Sequence, residues 1–223
     1  TLIDKDTLLT SAHCLWDEFT EKKTLVVAVN CGSQGEGKFK VSIENNSKGF
    51  NAKYNEAYPK VLDIDEETAS DVGIINLPSN KQLKDIAPLK IVSKKQLDEL
   101  IRSDDRTCRI SGYGQTNNKQ GSGSTLYTAD LNEEFAKNLS IKGTVIKTFA
   151  KKDKAKELST IAPGDSGGAL TCLLGSDNDP KKKEWVLVGV NRGGKGILQG
   201  GWWFSPSIRM FWSLARTDFN TKD

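Results

Sequence analysis

Most of the sequence consists of short segments rich in Val, Ile, Thr and aromatic residues, separated by Gly, Asn, Ser or Pro. Each segment has the length of a β-strand, and the long helical crossovers of a parallel α/β fold are missing. The 223 residues are enough to bury a core in one large all-β domain or two packed barrels. We therefore predict an all-β protein. The clearest strand segments are Thr24–Asn30, Lys38–Glu44, Val72–Leu77, Thr107–Gly112, Leu126–Asn132, Gly143–Thr148, Gly168–Leu174 and Trp185–Asn191.

Two other segments have helical spacing. Lys94–Arg102 is short and amphipathic, and Ser207–Arg216 places apolar residues on one helical face. We therefore predict a helix at each, the second packed against the core. The polar stretch Ser93–Arg106 is the best linker between an N-terminal and a C-terminal half. The apolar face of the second helix comprises Ile208, Phe211, Trp212 and Ala215.

The charges of the chain are nearly balanced. It carries 32 Lys and Arg against 29 Asp and Glu, for a net charge of +3. This balance argues against nucleic acid as a partner, and solvated faces explain the local lysine runs. No apolar run approaches the about 18 residues needed to span a bilayer. We therefore predict a protein that neither binds nucleic acid nor spans a membrane.

The chain has four cysteines, Cys14, Cys31, Cys108 and Cys172, and one histidine. No cysteine pair has the close spacing of a zinc or redox site, and a single histidine leaves few ligands for zinc. Widely spaced cysteines in even number are typical of disulfides formed in an oxidising compartment. We therefore predict no metal or organic cofactor and a secreted or periplasmic location. The chain starts at Thr1 rather than Met, which is compatible with a removed leader.

The strongest chemical signal is the string Gly-Asp-Ser-Gly-Gly at residues 164–168. A nucleophilic serine must stand on a tight turn with its hydroxyl exposed, and the flanking glycines allow such a turn. The N–H groups of Gly164 and Ser166 can then converge on the oxyanion that forms when a carbonyl is attacked. The alternative is a Gly-rich β-turn without a catalytic role.

A catalytic serine needs a base, and His13 is the only histidine in the chain. A lone histidine is more often packed or at the surface, but a strand-like segment ending in small residues places His13 at a strand end. The base in turn needs an orienting acid. Asp71 precedes the apolar run Val72–Leu77, at the edge of a core, although a turn aspartate would fit the same position.

Three segments contain these residues in the order His, Asp, Ser. They are LLTSAHC at 8–14, SDVGIINL at 70–77 and APGDSGGAL at 162–170. Together they resemble the chymotrypsin/trypsin family of serine proteases; subtilisin-like and α/β-hydrolase enzymes use other orders. Cys108–Gly114 is similar to a Cys-x-x-x-Gly-Trp-Gly strand of that family, and Pro206–Leu214 to its terminal helix. The resemblance covers nearly the whole chain.

The resemblance implies two six-stranded Greek-key β-barrels and a C-terminal helix, with the first N-terminal strand of the family lacking. The first barrel would span residues 1–95, the linker 96–106 and the second barrel 107–223. It further implies a disulfide between Cys108 and Cys172.

It also implies a serine endopeptidase that hydrolyses peptide bonds through an acyl-enzyme. His13, Asp71 and Ser166 would form the triad, and Gly164 and Ser166 the oxyanion hole. The enzyme would act on protein or peptide substrates as a monomer. An inactive or weakly active homologue that binds a partner is the alternative function.

The sequence departs from the family at several points. Family members pair a free amino terminus with the aspartate at position Asp165, and the usual partner of Cys14 also lies in the lacking segment. What holds Asp165 is therefore open, and Cys14 either pairs with Cys31 or stays free. The pocket strand has Arg192 where the family mostly has a serine that helps to hold the triad aspartate.

The resemblance places the primary specificity pocket between residues 160–162 and the strand at 188–194. No pocket residue is acidic, so we expect an uncharged P1 side chain of small to medium size. A guanidinium of Arg192 turned into the pocket would instead favour an acidic P1 residue. The Arg192 side chain could equally point at Asp71, in place of the usual serine, or out to solvent. The predicted pocket residues are Thr160, Ile161, Asn191, Arg192, Gly193, Gly194 and Trp203.

Overall fold

The structure, a computed structural model, is built almost entirely from antiparallel strands. Two helices of five or more residues are present in the described part of the chain, together with a helical turn at residues 12–15. The structure describes residues 1–15, 24–29, 39–44, 51–54, 71–78, 86–115, 126–151, 159–175, 183–195 and 207–215.

The first six strands form two sheets. In chain order they are β1 (Leu2–Asp4), β2 (Thr7–Thr10), β3 (Thr24–Val29), β4 (Phe39–Glu44), β5 (Asn51–Tyr54) and β6 (Gly73–Asn76). One sheet has the order β1-β2-β6-β5, and β3 pairs with β4 in the other. Strand β2 pairs antiparallel with β6, with Thr10 opposite Gly73. The end of β2 is therefore adjacent to the start of β6. His13 follows shortly after β2, and Asp71 lies just before β6.

The remaining eight strands form one sheet. They are β7 (Lys90–Ile91), β8 (Cys108–Gly112), β9 (Tyr127–Asp130), β10 (Ser140–Lys142), β11 (Val145–Lys151), β12 (Ala169–Leu174), β13 (Glu184–Lys195) and β14 (Ser207–Leu214). Their order is β10-β11-β14-β13-β12-β8-β9, and β7 pairs parallel with β13. The long strand β13 is thus bonded to three others.

Helix α1 (Lys94–Arg102) begins with a capping box, in which Ser93 and Gln96 each bond the backbone of the other. Its apolar face contributes the buried Leu100 to the core of the large sheet. Helix α2 (Glu133–Lys137) lies between β9 and β10. The Arg106 guanidinium donates to carbonyl groups at the ends of both helices, including Leu100 O at 2.8 Å and Ala136 O at 2.7 Å. One side chain thereby satisfies the end carbonyls of two helices.

Two clusters of buried side chains form the core. The larger lies on the eight-stranded sheet, with Phe135, Ile146 and Trp212 fully buried. The smaller contains Leu9 and Val72 from the N-terminal strands and Leu187 and Val190 from β13. The second cluster therefore joins the small sheet to the large one, next to the ends of β2 and β6.

Cys108 and Cys172 are directly opposite each other on β8 and β12 and form a disulfide. Both are buried. The predicted pairing is thus confirmed, and the bond joins strands 64 residues apart in sequence. In the described part of the chain, no helix is long and apolar enough to cross a membrane.

The all-β fold is confirmed, as are the eight strand segments predicted from sequence and helix α1. The antiparallel sheets are consistent with the predicted double β-barrel, although the described strands do not close into barrels. Segment 96–106, predicted as a linker, includes most of α1, which packs on the C-terminal core.

The predicted C-terminal helix is wrong for Ser207–Leu214, which forms strand β14. This strand lies between β11 and β13 and is hydrogen-bonded on both sides. Met210 and Ser213 are buried as well as the residues of the predicted helical face. A central strand covered on both faces has no clear alternation of polar and apolar residues, so the apolar spacing alone cannot distinguish it from a helix.

Candidate active site

His13 and Asp71 lie in contact where β2 ends and β6 begins. His13 Nδ1 is 2.7 Å from Asp71 Oδ2, and the His13 backbone N–H donates to Asp71 Oδ1 at 2.9 Å. The Asp71 side chain is 1% exposed and that of His13 24% exposed. The carboxylate is therefore out of water and bonded to both backbone and ring of His13, which fixes the orientation of the imidazole.

The surroundings of His13 change its basicity. Burial on its own lowers the pKa of the imidazole. The hydrogen bonds with the side chains of Asp71 and Cys14, together with the charge of Asp71, outweigh burial and raise the pKa of His13 above its ordinary value of 6.5. The pair thus stabilises the protonated ring.

Ser213 on β14 also contacts this pair. Its hydroxyl oxygen accepts the backbone N–H of Asp71 at 3.0 Å, and the side chain is fully buried. Because the sequence predicts a helix here, Ser213 was not identified as a site residue. A serine next to the buried run Met210–Trp212 is the signal that marks it.

Ser166 stands on the second of two successive β-turns. In the first, Asp165 N–H donates to Ala162 O at 3.0 Å; in the second, Gly168 N–H donates to Asp165 O at 2.9 Å. The third residue of each turn, Gly164 or Gly167, has a positive φ, of 93° and 81° respectively. Both turns are therefore of type II, which requires glycine at that position. Pro163 at the second position of the first turn further favours this conformation.

The Asp165 carboxylate is held by backbone N–H groups. Oδ1 accepts from Gly114 N–H and Oδ2 from Ala162 N–H, each at 2.7 Å. A Cβ atom added to Gly112 would lie 2.0 Å from Asp165 Oδ1, and one added to Gly114 would lie 2.6 Å from it. Only glycine permits this approach, and these contacts answer the open question of what holds Asp165.

The first of the two turns is also fixed from outside. Gln115 N–H donates to Pro163 O at 3.0 Å. The peptide bond is planar and trans, so the N–H of Gly164 points away from the carbonyl of Pro163. The Gln115 bond thereby sets the direction of the Gly164 N–H, which is one of the two predicted oxyanion donors.

The turn that bears Ser166 lies against the segment that leads to His13. A Cβ atom on Gly167 would be 2.3 Å from Thr10 Oγ1 and 3.2 Å from Ser11 N. The carbonyl of Asn191 bonds both sides, accepting from Gly167 N–H at 3.0 Å and from Ser11 Oγ at 2.6 Å. Gly167 is next to Ser166 in sequence, and Thr10 and Ser11 lie within three residues of His13. These contacts therefore hold the Ser166 turn against the His13 segment.

The predicted pocket residues lie in different environments. Thr160, Gly193 and Gly194 are partly exposed. Ile161 belongs to the large core cluster, and the Asn191 side chain is directed to backbone carbonyls. Arg192 is only 6% exposed, which excludes the solvent-facing orientation considered from sequence. Trp203 lies outside the described residues.

Cys14 is partly exposed and carries a free thiol. Of the two possibilities that the sequence left open, the structure thus has the unpaired one; Cys31 lies outside the described residues. Among the residues that the structure describes, no group of three or more His, Cys, Asp and Glu side chains has the arrangement of a metal site.

The family model described as Trypsin matches residues 1–203. The chain belongs to the trypsin family. None of the curated proteins matches it. Members of the trypsin family are serine proteases that act on protein substrates, so the family supports a hydrolase that acts on proteins.

The type II turn at Ser166 gives a direct test of the geometry of this trypsin-family site. We expect Gly167→Ala to lower the free energy of unfolding by about 2–4 kcal/mol, because a positive φ and overpacking against Thr10 both oppose a methyl group. Urea unfolding measures the change.

The matched control is Gly143→Ala. Gly143 also has a positive φ, of 58°, but it is exposed in the turn between β10 and β11. Its replacement should cost only the backbone strain, about 1–2 kcal/mol. Equal losses for the two variants would contradict the close packing of Gly167 on Thr10.

Proposed function

We propose that the chain is a serine endopeptidase that hydrolyses peptide bonds through an acyl-enzyme. Ser166 attacks the carbonyl carbon, and His13 accepts the hydroxyl proton and later delivers it to the leaving amine. The N–H groups of Gly164 and Ser166 bind the oxyanion. We further propose that it acts as a monomer outside the cytoplasm, in keeping with its disulfide.

The observation that carries this proposal is the contact of 2.7 Å between His13 Nδ1 and the buried Asp71. An imidazole that donates from Nδ1 to a carboxylate keeps Nε2 available as a proton acceptor. The carboxylate also stabilises the imidazolium that forms during attack. The two fixed turns around Ser166 support the same function, since they hold the nucleophile and the oxyanion donors without later rearrangement.

The triad should behave as one catalytic unit. We expect Ser166→Ala and His13→Ala each to lower the rate of peptide hydrolysis by about 10⁴-fold or more, and the double variant to be little worse than either. Labelling with a fluorophosphonate probe should disappear in Ser166→Ala. Ser140→Ala, which removes a partly exposed hydroxyl from β10, is the matched control and should label normally.

The alternative function, an inactive homologue that binds a partner, makes the opposite prediction. In that case the unaltered chain would neither label with the probe nor cleave peptides. Near-normal hydrolysis by His13→Ala would equally contradict the proposed mechanism.

Since His13 is the only histidine, its titration can be followed without interference. We expect the imidazole resonances of the Ser166→Ala variant to titrate with a midpoint above pH 6.5, because Asp71 and Cys14 raise the pKa of His13. A second substitution, Asp71→Asn, removes the charge and leaves burial to act, so the midpoint should fall. Neutral His13 is the base, and proteolysis should therefore increase with pH across the wild-type midpoint. An unchanged midpoint on Asp71→Asn would refute this coupling.

We propose an uncharged P1 side chain of small to medium size. A cationic P1 residue needs a carboxylate in the pocket, since a buried unpaired charge is costly. The nearby Asp165 carboxylate is already bonded to two backbone N–H groups. Digestion of a peptide library, read by mass spectrometry, should show cleavage after uncharged residues. Cleavage after Asp or Glu would instead assign Arg192 to the pocket, and cleavage after Lys or Arg would exclude the proposed pocket.

The division of the chain into two barrels at residues 96–106 stays a prediction. So does the assignment of the pocket to Thr160, Ile161, Asn191, Arg192, Gly193, Gly194 and Trp203.

A further inference from the structure

Asn191 lies where β13 passes both halves of the candidate site. Its backbone N–H donates to Gly168 O at 2.8 Å, and its carbonyl accepts from Gly167 N–H and from Ser11 Oγ. The residue is 1% exposed and follows five buried residues of β13, Val186 to Val190. A polar side chain in this apolar surrounding requires an explanation.

The side-chain amide of Asn191 bonds two backbone carbonyls. Nδ2 donates to Ser111 O and to Asp165 O, each at 3.1 Å. Both neighbours are acceptors, so the amide nitrogen must face them and its orientation is unambiguous. The amide oxygen, by contrast, is buried without a hydrogen-bond partner among the residues that the structure describes. An unpaired buried oxygen disfavours the fold, so the two donors are the contribution that this side chain makes.

The carbonyl of Asp165 and the N–H of Ser166 belong to the same peptide group. Because this group is planar and trans, the N–H points away from the carbonyl. A donor that holds Asp165 O therefore also sets the direction of the Ser166 N–H. Asp165 O is held by Gly168 N–H within the turn and by Asn191 Nδ2 from outside it.

We propose that Asn191 is a positioning residue that aims the Ser166 N–H at the oxyanion and holds the Ser166 turn against the His13 segment. This inference rests on the proposed protease function. The bond to Asp165 O orients the donor, while the carbonyl of Asn191 joins Gly167 to Ser11. Asn191 itself does not contact the reacting atoms. Its effect should therefore appear in turnover rather than in substrate binding.

The test compares Asn191→Leu with Asn138→Leu in the full chain, using hydrolysis of a peptide substrate. Asn138 is a matched control, since its Nδ2 also bonds two carbonyls, Glu134 O at 2.9 Å and Phe149 O at 3.0 Å, but it follows helix α2. We expect Asn191→Leu to lower kcat by about 10²-fold, with KM changed by less than about twofold, as for loss of an oxyanion donor. Asn138→Leu should leave kcat within about threefold of the wild-type value, because its only effect is to lower the stability of the fold.

A second variant keeps the test valid if Asn191→Leu fails to fold. Asn191→Asp keeps the size of the side chain but loses both N–H donors, and even a protonated carboxyl has a single O–H for the two carbonyls. It should show the same fall in kcat, and its rate of labelling by a fluorophosphonate should fall in parallel. If the wild type is active and neither Asn191 substitution lowers kcat, the inference is wrong while the proposed function stands. A wild type that neither labels nor cleaves would overturn the proposed function and this inference with it.

Discussion

A carboxylate that loses part of its hydration needs hydrogen-bond donors in its place, and this requirement shapes the segment around Asp165. The N–H groups of Gly114 and Ala162 supply the replacement. The backbone approaches so closely that any Cβ at Gly112 or Gly114 would collide with the carboxylate. Asp165 in turn belongs to both type II turns. The position of Ser166 thus depends on a single partly buried carboxylate and the glycines around it.

The other half of the site, Asp71 and His13, is likewise held by a few specific hydrogen bonds. Asp71 is bonded by the ring and the backbone of His13 and by Ser213. The groups come from β14 and from the ends of β2 and β6, and the small core cluster packs beside them. Because both carboxylate oxygens of Asp71 bond His13, the imidazole is oriented before any substrate binds.

Much of this could be predicted from sequence, for identifiable reasons. Strand segments with turn residues on both sides predicted eight strands correctly, and the string at residues 164–168 predicted a tight turn at Ser166. The residues alone left the partner of His13 open, and the resemblance to the trypsin family decided for Asp71. The strand and turn signals are local, and they need no knowledge of how the strands assemble.

The errors concern the packing of strands on one another. The terminal segment was predicted as a helix because its buried face is not distinguishable from that of a central strand. The bonds from the Asn191 amide to Ser111 and Asp165 were not predicted either, and the assignment of Asn191 to the pocket stays a prediction. Side-chain direction here depends on an irregularity of register between Asn191 and Gly193, which sequence does not reveal.

The distribution of contacts along the chain has a consequence for the order of folding. Arg106 bonds carbonyls that are five to 33 residues away in sequence. The bonds of the site span 180 residues between Ser11 and Asn191 and 142 between Asp71 and Ser213. Closing long loops has the larger entropic cost, and contacts between distant residues form slowly. The helices near Arg106 can therefore form early, and the candidate active site is assembled only when nearly the whole chain has folded.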